Sequence, residues 1–151
     1  MANTQAMCTS FKNKILQAYH NFGTTVTRAG TGADTFKAAL YLTTATINAS
    51  TTAYTATGEV TGTNYSAGGV TVTNATAPTT SGTTAYWTPS ASLVYTNVTL
   101  STAFDTVLIY NSTQSNRAVS VHTFGSQTVT AGTFTLTMPT NAAGTALLNI
   151  A

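Results

Sequence analysis

Few side chains in this sequence can exchange a proton near neutrality. Asp34, Glu59 and Asp105 are the acids, His20 and His122 the histidines, and Cys8 the one thiol. A hydrolytic triad would need one of the many serines or threonines beside a histidine that an acid orients. Neither histidine accompanies a nucleophile-elbow pattern. His20 falls on the polar side of a predicted helix, and His122 follows Ala118, Val119, Ser120 and Val121 in a strand-like run, so both read as solvated or hydrogen-bonded. Glycosidase chemistry would need two of Glu59, Asp105 and Asp34 across one sugar, and nothing in the sequence brings a pair together. Asp105, beside Phe104, reads as turn chemistry at the foot of a strand. Cys8 has no intrachain disulfide partner, and no residue spacing suits a metal. The chain reads as non-enzymatic, with no catalytic residue, cofactor, metal or small-molecule substrate.

Tyr86, Trp87 and Tyr95 could build an aromatic sugar platform, although alternating aromatics in strands serve first as core or cross-strand pairs. A carbohydrate-binding module for host attachment is the alternative that these residues keep open. Five Asn-x-Ser/Thr triplets, at Asn48, Asn64, Asn74, Asn97 and Asn111, follow from the abundance of threonine, which fills about one position in four.

Charged residues make up 5% of the 151 positions and hydrophobic ones 42%, with a net charge of +2. Disordered chains are poor in apolar residues and rich in net charge, so this composition predicts a folded domain. Four of the five basic residues, Lys12, Lys14, Arg28 and Lys37, precede position 40, and they form no basic cluster interleaved with aromatics. Nucleic acid is therefore excluded as a partner. The N-terminus lacks the charged start and continuous apolar stretch of a secretion signal, and no run is long enough to cross a membrane as a helix. That predicts a chain made soluble in the cytoplasm, with no membrane partner.

These residues need elements to position them. Phe11, Ile15, Tyr19 and Phe22 recur at three- or four-residue spacing after Thr9 or Ser10, either of which can cap, and Gly23 can end the run. The pattern predicts one short amphipathic helix that packs on its own domain or docks on a neighbour. A Gly/Thr stretch follows to Gly32, so residues 1–32 read as helix and flexible arm and residues 33–151 as the β domain. Predicted strands are Phe36 to Leu42, Tyr54 to Val60, Val70 to Asn74, Thr84 to Thr88, Leu93 to Leu100, Thr106 to Tyr110, Ala118 to Phe124, Gln127 to Thr130, Thr133 to Met138 and Ala146 to Ile150. Asn111 to Asn116 and Ala131-Gly132 read as hairpin turns. Many short strands at this spacing predict a mainly β fold, an antiparallel β-sandwich or jelly roll. In Thr133 to Met138, strict alternation puts Phe134, Leu136 and Met138 on one face and Thr133, Thr135 and Thr137 on the other.

Several segments are familiar together: MANTQAMCTSFK at residues 1–12, TFKAALYLTTAT at 35–46, AYTATGEV at 53–60, NYSAGGV at 64–70 and LIYNSTQSNRAV at 108–119. They resemble a family of small virion structural proteins of tailed bacteriophages, over nearly the whole chain. Such families include capsid cement or decoration proteins and small tail, neck or fibre components. The resemblance implies a protein of the virion, assembled in the host bacterial cytoplasm, whose partners are the major capsid protein and sister subunits in a homodimer or homotrimer. It carries over no functional residue. Phe11, Ile15, Tyr19 and Phe22 on the helix, and the Thr133, Thr135 and Thr137 face, are the contact candidates that the chain's own pattern supplies.

Overall fold

The computed structural model describes residues 3–16, 19, 20, 22, 33–74 and 76–150. The chain is mainly β, in two antiparallel sheets, with one eight-residue helix among the described residues. In chain order the elements are β1 (Ala6–Met7), α1 (Thr9–Leu16), β2 (Phe36–Leu42), β3 (Val70–Thr71), β4 (Thr79–Ser81), β5 (Thr84–Trp87), β6 (Leu93–Asn111), β7 (Arg117–Leu136) and β8 (Leu148–Ile150). One sheet has the order β1-β7-β6-β2-β3 and the other β4-β5-β8.

The framework is a single hairpin of 19- and 20-residue strands, paired from Asn111 with Arg117 at the turn to Leu93 with Leu136 at the far end. Asn111 makes the turn. Its side-chain oxygen accepts from the Thr113 and Gln114 amides, both at 3.1 Å, while Ser115 and Asn116 take left-handed φ of 54° and 56°. Asx geometry of this kind is what a polar Asn/Ser loop between apolar runs supplies.

The hairpin folds back over itself. Ten residues of strand span about 33 Å, yet the rings of Phe124 and Phe134, both on β7, have centroids 5.5 Å apart. Phe104 meets Phe134 edge-on at 5.0 Å, although Phe134 pairs in register with Tyr95. Register shifts between Tyr95 and Val98, Val98 and Leu100, Leu100 and Phe104, and Phe104 and Thr106 mark the bend. Asn97 and Ala131 take left-handed φ of 51° and 47° there. Bulges sharpen local twist and bend a strand, so the far half, Leu93–Leu100 with Val129–Leu136, lies over the near half. The near half is consequently buried on both faces: Val107, Leu108, Ile109 and Tyr110, and Ala118, Val119, Ser120 and Val121, are each at most 3% exposed.

Several sequence expectations are corrected. Ala131-Gly132 is a bulge inside β7, with Gly132 opposite Val98, and the three runs from Ala118 to Leu136 are one strand. Leu93 to Leu100 and Thr106 to Tyr110 are likewise one strand. Alternation reports which residues share a face but not where a bent strand continues through a turn-like dipeptide. Tyr54 to Val60 is loop, touching the sheet at the isolated bridge of Glu59 to Tyr41. Gly58, at φ 79°, carries the chain through a turn there, which ends the extended conformation. The helix is described over Thr9–Leu16. Tyr19, His20 and Phe22 are not helical, and Gly23 and the Gly/Thr arm lie outside the described residues. Met138 lies beyond the end of β7, whereas Phe36 to Leu42 coincides with β2.

The N-terminal segment packs on the β domain. Ala6 and Met7 pair with Val121 and Ser120, the Cys8 amide donates to the Val119 carbonyl, and Phe11 is 1% exposed. Two backbone positions separate strain from fit. At Gly69, φ is 72° and an added Cβ would overlap the Ala38 carbonyl of β2, whereas Ala131 holds a left-handed φ with its Cβ present. Gly69→Ala should cost more than about 3 kcal/mol, because backbone must move as well as strain. Ala131→Gly should be neutral or stabilising by up to about 1 kcal/mol. Urea unfolding of the two variants checks the pair.

Candidate functional site

Glu59, 7% exposed, lies within the loop that joins β2 to β3 and accepts three hydrogen bonds. Its Oε2 accepts from the Tyr54 hydroxyl at 2.6 Å, and its Oε1 accepts from the Tyr65 hydroxyl at 2.8 Å and the Gly68 amide at 2.7 Å. The Tyr65 hydroxyl in turn accepts from the Leu40 amide of β2 at 3.0 Å. Tyr110 donates to the Gly68 carbonyl, Tyr95 to the Ala38 carbonyl and Tyr41 to the Thr55 carbonyl. Tyr54 stacks on Tyr110 at 4.8 Å, and Tyr65 on Tyr95 at 6.0 Å. Two tyrosine hydroxyls thus bond one carboxylate, and three more bond backbone carbonyls around it. Burial, with Glu59 adding to it, pushes the Tyr54 and Tyr110 phenols up to about 12. The Tyr41, Tyr65 and Tyr95 phenols are raised further, again first by burial. These hydroxyls stay protonated and donate hydrogen bonds, so the arrangement is a clamp rather than an acid–base pair.

The other acids are also committed to structure. Asp34, 4% exposed, accepts from the Asn111 side-chain amide at 2.8 Å and from Gln114 at 3.2 Å, which ties the start of β2 to the hairpin turn. Asn111 also contacts His20 Nδ1 at 3.1 Å. His20 therefore does not lie on a solvated helix face. It sits among aromatic rings, 4.7 Å from Phe11 and 6.4 Å from Phe36. Asp105 lies within β6 at a register shift, not in a turn, and accepts from Asn3 at 2.9 Å and Thr106 at 2.7 Å. Asn3 also bonds the Leu42 carbonyl and the Ile47 amide, so Asp105 anchors the N-terminal segment.

One serine and one histidine do meet: Ser120 Oγ lies 2.9 Å from His122 Nε2. Ser120 is 1% exposed inside the folded hairpin. His122, with Val107, Ile109 and Phe124 from the near half and Leu93 and Leu136 from the far half, lines a cavity of about 200 Å³ between the layers. Burial in this apolar space lowers the His122 pKa to about 4. A neutral imidazole beside a hydroxyl is half of a triad, but each of the three acids is engaged elsewhere. Cys8 is fully buried, and its thiol is pushed up to about 11, away from the reactive thiolate form. Among the described residues no three His, Cys, Asp or Glu side chains group as a metal site, and no helix is long and apolar enough to cross a membrane.

The contact candidates separate. Phe11 is in the core; Phe22 stacks on Phe36 at 4.5 Å and meets Trp87 at a tilt at 4.6 Å; Ile15 packs partly buried against the same cluster. Tyr19 lies under the Arg117 guanidinium at 4.7 Å. Thr133, Thr135 and Thr137 are exposed together, with Val94, 44% exposed, opposite Thr135. The aromatic platform does not form: Trp87 is 2% and Tyr95 3% exposed, and the Trp87 indole donates to the Thr76 carbonyl. Asn111, fully buried, is no glycan acceptor. The Glu59 clamp was missed by sequence reasoning. Its one visible signal was a lone acid flanked within six residues by Tyr54 and Tyr65.

Comparison with known protein families, with characterised proteins and with solved structures finds no match to this chain.

Two outcomes follow from these groups. Glu59→Gln leaves one oxygen for three donors and turns an amide toward them, so it should cost roughly 2–4 kcal/mol, against about 1 kcal/mol for Tyr54→Phe; chemical denaturation at neutral pH measures both. The His122 pKa falls from 6.5 to about 4 on folding, so between those values the unfolded chain binds the extra proton. The stability that neutral His122 contributes is complete above about pH 6.5, falls as pH drops toward 4, and is lost by roughly 3 kcal/mol in all. The difference in unfolding free energy between the natural chain and His122→Gln should follow that curve; a pH-independent difference refutes it.

Proposed function

We propose that this chain is a non-enzymatic structural protein of a tailed-phage virion, a capsid cement or decoration protein that binds the outer shell and bridges capsomer junctions. The observation that carries the reading is the exposed, charge-free threonine face and edge of β7 on a body whose acids all hold the fold together. From Ala118 to Ala151 the sequence contains no Asp, Glu, Lys or Arg. Such a surface suits contact through backbone and hydroxyl hydrogen bonds, where charged residues would need desolvation. The resemblance of residues 1–12, 35–46, 53–60, 64–70 and 108–119 to small virion proteins supports the same reading. In it the two antiparallel sheets form a sandwich-type body, and the partners are the major capsid protein and sister subunits.

Retention on a shell would come from many symmetry-related copies, each adding a modest contact. Sister components of tail, neck or fibre share the family resemblance and form the second reading, and copy number separates the two. Quantitative mass spectrometry of purified virions should find on the order of hundreds of copies for a cement protein, against a few to a few tens for a tail or neck part. Absence from washed particles would sink both.

A further inference from the structure

We propose that the cavity between the two layers of the folded hairpin binds a small uncharged molecule, mainly apolar and carrying one hydrogen-bond-accepting oxygen, of the size and kind of an aromatic ketone or ester. Neither the site nor its ligand rests on the virion reading. The cavity measures about 200 Å³. Its lining runs from Leu93, Val107 and Ile109, each at most 3% exposed, to Thr137 and Pro139, which are exposed, so the space opens to solvent beyond the end of β7. His122 is the one ionisable side chain in that lining.

The chemistry of the ligand follows from the imidazole. Ser120 is 1% exposed, and among the described residues its hydroxyl has one hydrogen-bond partner, His122 Nε2 at 2.9 Å. A buried hydroxyl proton needs an acceptor, so it goes to Nε2, and the neutral ring then carries its own proton on Nδ1. Among the described residues Nδ1 has no partner. The wall therefore offers a donor, and the ligand must bring the acceptor. A carboxylate would need a counter-charge that the walls lack, so the acceptor is a neutral oxygen. Size limits the remainder: an apolar cavity of about 150 Å³ accommodates benzene, and about 200 Å³ leaves room for a ring with a short carbonyl-bearing substituent. Water is the poorer occupant, because it needs roughly two to four polar partners, and the only other polar side chains in the lining are Thr123 and Thr137. A molecule seated here touches Val107 and Ile109 of the near half and Leu93 and Leu136 of the far half, and so stabilises the folded-back hairpin.

Two probes of equal shape test this by NMR titration of the full chain with labelled Leu, Val and Ile methyl groups: acetophenone, and isopropenylbenzene, in which a methylene replaces the carbonyl oxygen. The expected result is saturable shifts at the Leu93, Val107 and Ile109 methyls with a Kd for acetophenone on the order of 1 mM or below. The His122 Nδ1 resonance should move with them, and the hydrocarbon should bind about three- to tenfold more weakly for want of the hydrogen bond. Leu136→Trp fills the space from a half-buried position and should abolish binding of both probes. His122→Phe keeps a ring there without the donor and should make their affinities equal. Equal affinity of the two probes for the natural chain overturns the proposal. So does the absence of saturable shifts up to the solubility limit, shifts confined to residues outside the cavity, or water contacts to these methyls that neither probe displaces. Should either variant fail to fold, the two probes on the natural chain decide alone.

Discussion

The bend in the β6–β7 hairpin is the constraint on which the remaining structure rests. Two strands of about twenty residues would form a ribbon some 60 Å long with one sparse core face. An isolated ribbon is marginal in water because it cannot bury enough apolar surface. By folding back, this one supplies both layers of its own core, and the Phe104, Phe124 and Phe134 rings fill the inside of the bend. The left-handed φ at Ala131 is the local strain of that arrangement, and the Thr99 hydroxyl that accepts the Ala131 amide at 3.0 Å offsets part of it.

The Glu59 clamp solves a second problem that the bend creates. The near half of the hairpin must be covered on its other face too, and the cover is a long loop with little regular structure. Such loops carry backbone groups that need partners when buried. Here phenols provide some of them: Tyr41 and Tyr110 reach the loop carbonyls of Thr55 and Gly68, while Tyr95 bonds the Ala38 carbonyl of β2 and Tyr65 links the Leu40 amide of β2 to Glu59. A carboxylate at the centre accepts three donors at once, which no neutral side chain does. The close approach at Gly69 lets the loop lie directly on β2. One acid therefore does for this loop what a strand ladder does for the sheet.

These physical facts explain what could be read from sequence. β2 was legible because Phe36 to Leu42 is a short apolar run bounded by polar residues, and the β6–β7 turn because Asn111 to Asn116 is polar between two such runs. The outward threonines at 133 and 135 followed from a period of two. The fold-back was not legible: Ala131-Gly132 is as good a turn as a bulge, and only long-range aromatic contacts distinguish them. The Glu59 clamp was hidden for the same reason, since Tyr41, Tyr95 and Tyr110 lie far from it along the chain. Helical spacing at Phe11, Ile15, Tyr19 and Phe22 identified three residues that share a core cluster, while Tyr19 lies under Arg117; it did not identify the geometry, because Phe22 reaches Trp87 without being helical.

The scarcity of charge acquires a structural meaning in this setting. A charged surface keeps monomers apart and blocks strand edges, and a sequence that omits charge from Ala118 onward gives up both protections. Threonine retains water solubility and β propensity while leaving backbone groups accessible. The charges that remain are concentrated in the first 40 residues or tied to the fold: Asp34 on the hairpin turn, Glu59 on the loop, Asp105 on the N-terminal segment and Arg117 over the Tyr19 ring. Electrostatics in this protein therefore holds the chain to itself, and the surface left for other molecules is one where hydrogen bonds and shape must decide the partner.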